Sequence, residues 1–153
     1  VMANEGIEIA GNTLVDNPTA HIIVVAYPKA FTDKSYNPYP RDVRIIVNLF
    51  LGGGDDPQLP GGKQLAQAFG GALPPLVWDG LGEAPRFPAP NGEVLKALNL
   101  GLASQGANPA TAKPTLMAIK GSAPDLFTVA QGQASAGPPQ PGAPAALDAR
   151  ARP

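Results

Sequence analysis

Apolar positions along this chain come in short blocks, set apart by glycine, proline and small polar residues. Residues 20–51, AHIIVVAYPKAFTDKSYNPYPRDVRIIVNLFL, show the pattern most clearly. His21 to Tyr27 is β-branched, compact and followed by Pro28, which predicts a buried strand. Val43 to Leu51 predicts a second strand. There Val43, Ile45, Val47 and Leu49 alternate with Arg44, Ile46, Asn48 and Phe50, so the face carrying Arg44 and Asn48 is expected to be half-wet. Ahead of both, Ile7 and Ile9 alternate with polar residues as a short strand would, and Asn17-Pro18 marks a turn.

The blocks shorten further along. Gly52 to Pro57 (GGGDDP) is a flexible turn. Lys63 to Phe69, bracketed by Gly61-Gly62 and Gly70-Gly71, suits two turns of helix. Leu76-Val77-Trp78 is a short strand stopped by Asp79-Gly80, and residues 82–92 are broken by Pro and Gly. Val94 to Ala103 fits either a helix face or a strand; Gly101 and the alternation of Leu98, Leu100 and Leu102 favour a strand. Thr115 to Lys120 predicts a strand, and Pro124 to Ala130 a short helix capped by Ser122. From Gly132 on, the chain is Gly, Ala, Pro, Gln and Ser. Such a segment buries too little apolar surface to offset its ordering entropy, so 132–153 is expected to be a disordered tail. The expected organisation is an entry segment over 1–19, a β domain over 20–131 and that tail.

Composition agrees with many turns. Of 153 residues, 18 are Gly and 19 are Pro, about a quarter together, while 44% are hydrophobic, enough for one core. No apolar run approaches the roughly 20 residues of a membrane span. The chain has no cysteine, which excludes disulfides, thiolate metal sites and cysteine nucleophiles. Acids stand near the start where a signal peptide carries bases, so a cytoplasmic protein is expected.

The formal net charge is -1, so no global field draws this protein to a polyanion, and any nucleic-acid binding must be local. One segment qualifies. Tyr27, Phe31, Tyr36 and Tyr39 bring four of the nine aromatic rings into thirteen residues, interleaved with Lys29, Lys34, Arg41 and Arg44. Rings stack bases at about 1–3 kcal/mol each, and cations neutralise phosphates. Phe31, Tyr36 and Tyr39 are therefore the candidate stacking residues and Lys29, Lys34, Arg41 and Arg44 the candidate phosphate contacts, with Trp78 and Lys120 in second rank. A plainer reading of the same segment has the rings packing over the end of a barrel.

Other motifs fall away. The only histidine, His21, has no visible nucleophile partner and reads as structural. Gly61-Gly62-Lys63 lacks the flanking residues of a phosphate loop, which would need Gly at 57 and Ser or Thr at 64, where Pro57 and Gln64 stand. Asp55-Asp56 lacks calcium-loop spacing and reads as an exposed turn. Trp78 in LVWDG is most simply a core ring. No catalytic set, metal or cofactor is expected.

The order of elements resembles that of single-stranded-DNA-binding-like small proteins of actinobacterial phages, which are similar to the OB-fold. In those proteins a strand and charged loop lead to a second strand ending in a turn such as LDGP; Ile22 to Pro57 stands there, with LFLGGGDDP as the turn. Val94 to Gly101 (VLKALNLG) stands for a later stretch like VLGRLGQG. Thr115 to Ile119 and Asp125 to Ala130 stand for the final strand and a DLxxA helix. The likeness spans 20–131. Two departures matter: Ala97 replaces the Arg of that stretch, and the tail ends AALDARARP where bacterial single-stranded-DNA-binding proteins carry an acidic tip. The resemblance implies a five-stranded OB-like barrel with one or two short helices. It also implies sequence-independent single-stranded DNA binding in phage or mobile-element replication or recombination, in the host cytoplasm. A homo-oligomer stays open, and no membrane partner is expected because no apolar run is long enough to span one. The competing expectation is a phage virion structural or accessory protein, a capsid decoration or tail component.

Overall fold

The computed structural model describes residues 1–27, 32–89, 93–102 and 111–122. The described chain is mostly β, with one short helix: β1 (Glu5–Ala10), β2 (Thr13–Val15), β3 (Ile22–Val24), β4 (Arg41–Ile46), β5 (Leu49–Leu51), α1 (Gly62–Ala68), β6 (Leu76–Trp78), β7 (Val94–Asn99) and β8 (Thr115–Lys120). The expected helix over 124–130 and tail over 132–153 lie outside the described residues, as do Lys29 and Phe31.

All but one of the strand pairings are parallel. β1 lies on β4 from Glu5↔Arg41 to Ala10↔Ile46, and β2 lies on β5 from Thr13↔Leu49 to Val15↔Leu51. These are two lengths of one ladder, broken at the same place on both strands and held in one register throughout. β3, β6 and β7 form a third parallel set, closed by an antiparallel β8. Parallel bridges extend the stacks: Met2 with Val25, and Arg44 with Arg86. Over two passes the chain visits three stations in the same order, β1-β2-β3 and then β4-β5-β6, while β7 and β8 add to the third stack alone. This is the connectivity of a short β-solenoid. The segment 1–19 belongs to the first pass, through β1 and β2.

The sheets are not closed into a barrel, which corrects the five-stranded OB-like expectation. Closure would join the edges of one sheet; the described strands instead form three separate sheets, ordered β1-β4, β2-β5 and β3-β6-β7-β8, each with two edges.

The core lies inside the coil. Ile22, Val24, Val43, Ile45, Leu76, Trp78, Phe87 and Leu95 are buried there together, with Ile7, Ile9, Leu14, Phe50, Met117 and Ile119 packed against them. A second cluster occupies the other face of the β3-β6-β7-β8 sheet, where Leu65, Ala66 and Phe69 of the helical segment cover Val77 and Leu98. That sheet is covered on both faces, which is why β6 is buried at every position and reads as a continuous apolar run.

The expected strand over 43–51 is two strands, and its faces exchange midway. Val43 and Ile45 point inward, but Val47, Leu49 and Leu51 are exposed, while Phe50 packs against the core. Val47 has φ 46, a left-handed conformation that is costly for a β-branched residue. This turn of the backbone shifts the alternation by one position and bends the ladder. At the same corner Asn48 Oδ1 accepts from the Asn12 backbone N–H (3.0 Å) and side-chain amide (2.9 Å), and Asn48 Nδ2 donates to Ile9 O (2.8 Å).

Candidate ligand groove

The segment Trp78-Asp79-Gly80-Leu81-Gly82 leaves β6 and forms a fixed turn. Asp79 is buried, at 5% exposure, and its carboxylate accepts two backbone N–H groups, from Ala26 (2.6 Å) and Leu81 (2.9 Å). The Trp78 indole N–H donates to Leu81 O at 2.9 Å. Two glycines are required by the geometry. Gly80 has φ 96, and a Cβ there would sit 2.7 Å from Asn99 Oδ1. Gly82 has φ 72, and its Cβ would sit 2.5 Å from Pro40 O.

This turn faces residues 37–40. Glu83 N–H donates to Pro40 O (3.1 Å), the Glu83 carboxylate accepts from Asp42 N–H (3.2 Å), and Tyr39 N–H donates to Asn37 Oδ1 (2.9 Å). Between the two walls lies an open groove of about 410 Å³, lined by Asn37, Tyr39, Arg41 and the segment Gly80 to Glu83. It offers a phenol, an amide, a guanidinium and a carboxylate. These groups suit recognition of a polar ligand carrying a flat or extended portion. Of the residues singled out from sequence, Tyr39 and Arg41 meet here. Trp78 does not line the groove; it is a core ring at 8% exposure that holds Leu81 from beneath. Asn37, Leu81 and Glu83 were not foreseen. The Gly-x-Gly after Trp78-Asp79 was the available signal, since a glycine pair after a strand marks a close backbone approach.

The arginines carry a different message. Arg41 pairs with Glu5 at 2.5 Å. Arg44 stands 3.8 Å from Glu8 and 3.7 Å from Asp42, and Arg86 pairs with Asp42. The Nε atoms of Arg41 and Arg44 are buried without a hydrogen bond. The parallel ladder thus sets arginines of β4 beside carboxylates of β1, and the stripe is locally neutral. Lys34, Lys96, Lys113 and Lys120 are exposed and make no ion pair among the described residues. Tyr36 is half-buried.

The remaining polar groups are structural. His21 Nδ1 faces the Asn17 amide (2.9 Å) and Nε2 faces Gly52 O (2.9 Å), so with the amide as donor the ring is the Nε2–H tautomer. Its ring also lies 5.5 Å from that of Phe50. Asp56 is held by Lys63 at 2.9 Å, which lowers the carboxyl pKa and raises that of the ammonium. Asp33 is lowered by hydrogen bonds from Ser35. No group of three or more His, Cys, Asp or Glu among the described residues is arranged to hold a metal ion. No helix among them is long and apolar enough to cross a membrane. No protein-family model, curated protein or solved structure matches the chain.

Proposed function

We propose that this protein is a structural or accessory component of a larger assembly, such as a phage virion, and works through surface contacts. One observation carries the reading. The outer face of the β2-β5 ladder presents Val15, Leu49 and Leu51 side by side, with Val47 at the adjoining corner, and all four are exposed (51%, 53%, 45% and 69%). A run of large apolar side chains on a wet sheet face is the usual mark of a surface that another protein covers. The neutral arginine stripe agrees, because a polyanion would have to displace Glu5, Glu8 and Asp42 to reach Arg41 and Arg44.

Single-stranded DNA binding is the second reading. It is favoured by the meeting of Tyr39 and Arg41 in one groove and by the unpaired lysines, which extend the chemistry read from Lys34, Tyr36 and Lys120. Titration of a fluorescent single-stranded oligonucleotide at low salt separates the two. The assembly reading expects no saturable binding. Binding that rises as salt falls, and that Tyr39→Ala with Arg41→Ala abolishes while the fold persists, would replace it with the DNA reading.

A further inference from the structure

The groove between residues 37–40 and the turn after β6 holds donors and acceptors that the fold does not use. Its polar side chains are Asn37, Tyr39, Arg41 and Glu83, around about 410 Å³ of open space. Asn37 Oδ1 takes the Tyr39 backbone N–H, and Glu83 Oε2 takes the Asp42 backbone N–H. The Tyr39 hydroxyl, the Asn37 amide nitrogen and the second Glu83 oxygen make no hydrogen bond among the described residues. The backbone of the far wall is largely spent: Leu81 N–H goes to Asp79, Glu83 N–H to Pro40 O, and Leu81 O receives the Trp78 indole. A ligand here is therefore met by side chains, on a turn that the buried Asp79 carboxylate already fixes.

Charge narrows the class of ligand. Arg41 is paired with Glu5 at 2.5 Å, and Glu83 adds a carboxylate, so the lining carries no net positive charge. An anion needs donors alone and would meet the Glu83 carboxylate. A cation needs acceptors alone and would meet the Arg41 guanidinium. A hydroxyl gives and accepts at once, and the unspent groups match it: the amide nitrogen donates, the carboxylate oxygen accepts and the phenol does both. The Tyr39 ring adds an apolar body beside its polar tip.

We infer that this groove binds a neutral saccharide. Glu83 accepts from one sugar hydroxyl, the Asn37 amide donates to another, and the Tyr39 ring takes the apolar C–H face of a pyranose. The volume lies in the range of small-ligand sites, about 300–1,000 Å³. Because the groove is open, a glycosidic chain can continue from it into solvent. The inference goes beyond the assembly reading and stands without it.

The test is titration of the full chain with three neutral trisaccharides: maltotriose, cellotriose and triacetylchitotriose. Ligand-observed NMR follows binding, and Trp78 emission gives a second readout because its indole holds Leu81. Saturable binding of at least one is expected, with Kd of about 1 mM or tighter and little dependence on salt. Tyr39→Ala and Glu83→Gln should each weaken it about tenfold. Glu83→Gln keeps an oxygen for the Asp42 N–H, so circular dichroism should stay native. Should Tyr39→Ala fail to fold, Asn37→Asp decides beside Glu83→Gln, since it keeps the oxygen that takes the Tyr39 N–H and removes the donor. Leu49→Lys, on the apolar ladder face that carries the assembly reading, should leave the titration unchanged. Absence of binding by all three sugars, or binding that these groove variants leave intact, overturns the inference. So does a groove that ignores the sugars and takes a thymidine oligonucleotide, more tightly after Glu83→Gln.

Discussion

Asn12 and Asn48, 36 positions apart in sequence, are neighbours at the corner of the parallel ladder, where the side-chain amide of Asn12 donates to Asn48 Oδ1 at 2.9 Å. The same oxygen accepts the Asn12 backbone N–H, and the Asn48 amide returns a bond to Ile9 O. The corner interrupts the backbone ladder on both strands, and these side chains supply the bonds that the bend removes.

Asn48→Ala should therefore cost about 1–2 kcal/mol, since a net hydrogen bond contributes roughly 1 kcal/mol and this corner is partly solvated. Urea unfolding measures it. A double-mutant cycle with Asn12→Ala should give a coupling of about 0.5–1 kcal/mol. Additive single mutants would show that each side chain is held independently.

Val47 bears the strain of the same corner. An L residue in the left-handed region costs about 1–2 kcal/mol, and asparagine tolerates it better than a β-branched residue. Val47 is 69% exposed, so its replacement forfeits little burial. Val47→Asn should raise the unfolding free energy by about 0.5–1 kcal/mol. A loss instead would mean that the isopropyl group is needed on the apolar face beside Leu49.

Asp79 holds the floor of the groove. Asp79→Ala leaves the N–H groups of Ala26 and Leu81 without their carboxylate partner in a buried setting. Hydrogen bonds to a charged group contribute about 1.5–3 kcal/mol each, so a loss of about 3 kcal/mol is expected. Asp79→Asn keeps one acceptor oxygen and should lose roughly half as much. Trp78 is the only tryptophan, and its indole bonds to Leu81 O, so native-state emission should move to longer wavelength in the alanine variant.

The local elements were legible in the sequence. KQLAQAF between glycine pairs forms α1, LVW stopped by Asp79-Gly80 forms β6, and TLMAIK forms β8, because periodicity and breakers act over a few residues. The alternation over 43–51 was legible too, but not the change of face at Val47, which depends on one backbone dihedral that valine does not prefer. Tyr39 and Arg41 stood out as chemistry. Their partners in the groove did not, since Leu81 and Glu83 arrive from a distant turn.

Tertiary structure alone decided which strands pair and in which sense. Short β-branched blocks separated by Pro and Gly serve a barrel or a solenoid equally well, because pairing joins residues tens of positions apart and leaves no trace in local composition. The fate of the arginines follows from the same cause. The sequence placed Arg41 and Arg44 among aromatic rings; the parallel register placed Glu5 and Glu8 against them. Whether a cation is free to meet a ligand depends on the strand beside it, and that strand is chosen by the packing of Ile7, Ile9, Val43 and Ile45 into the common core.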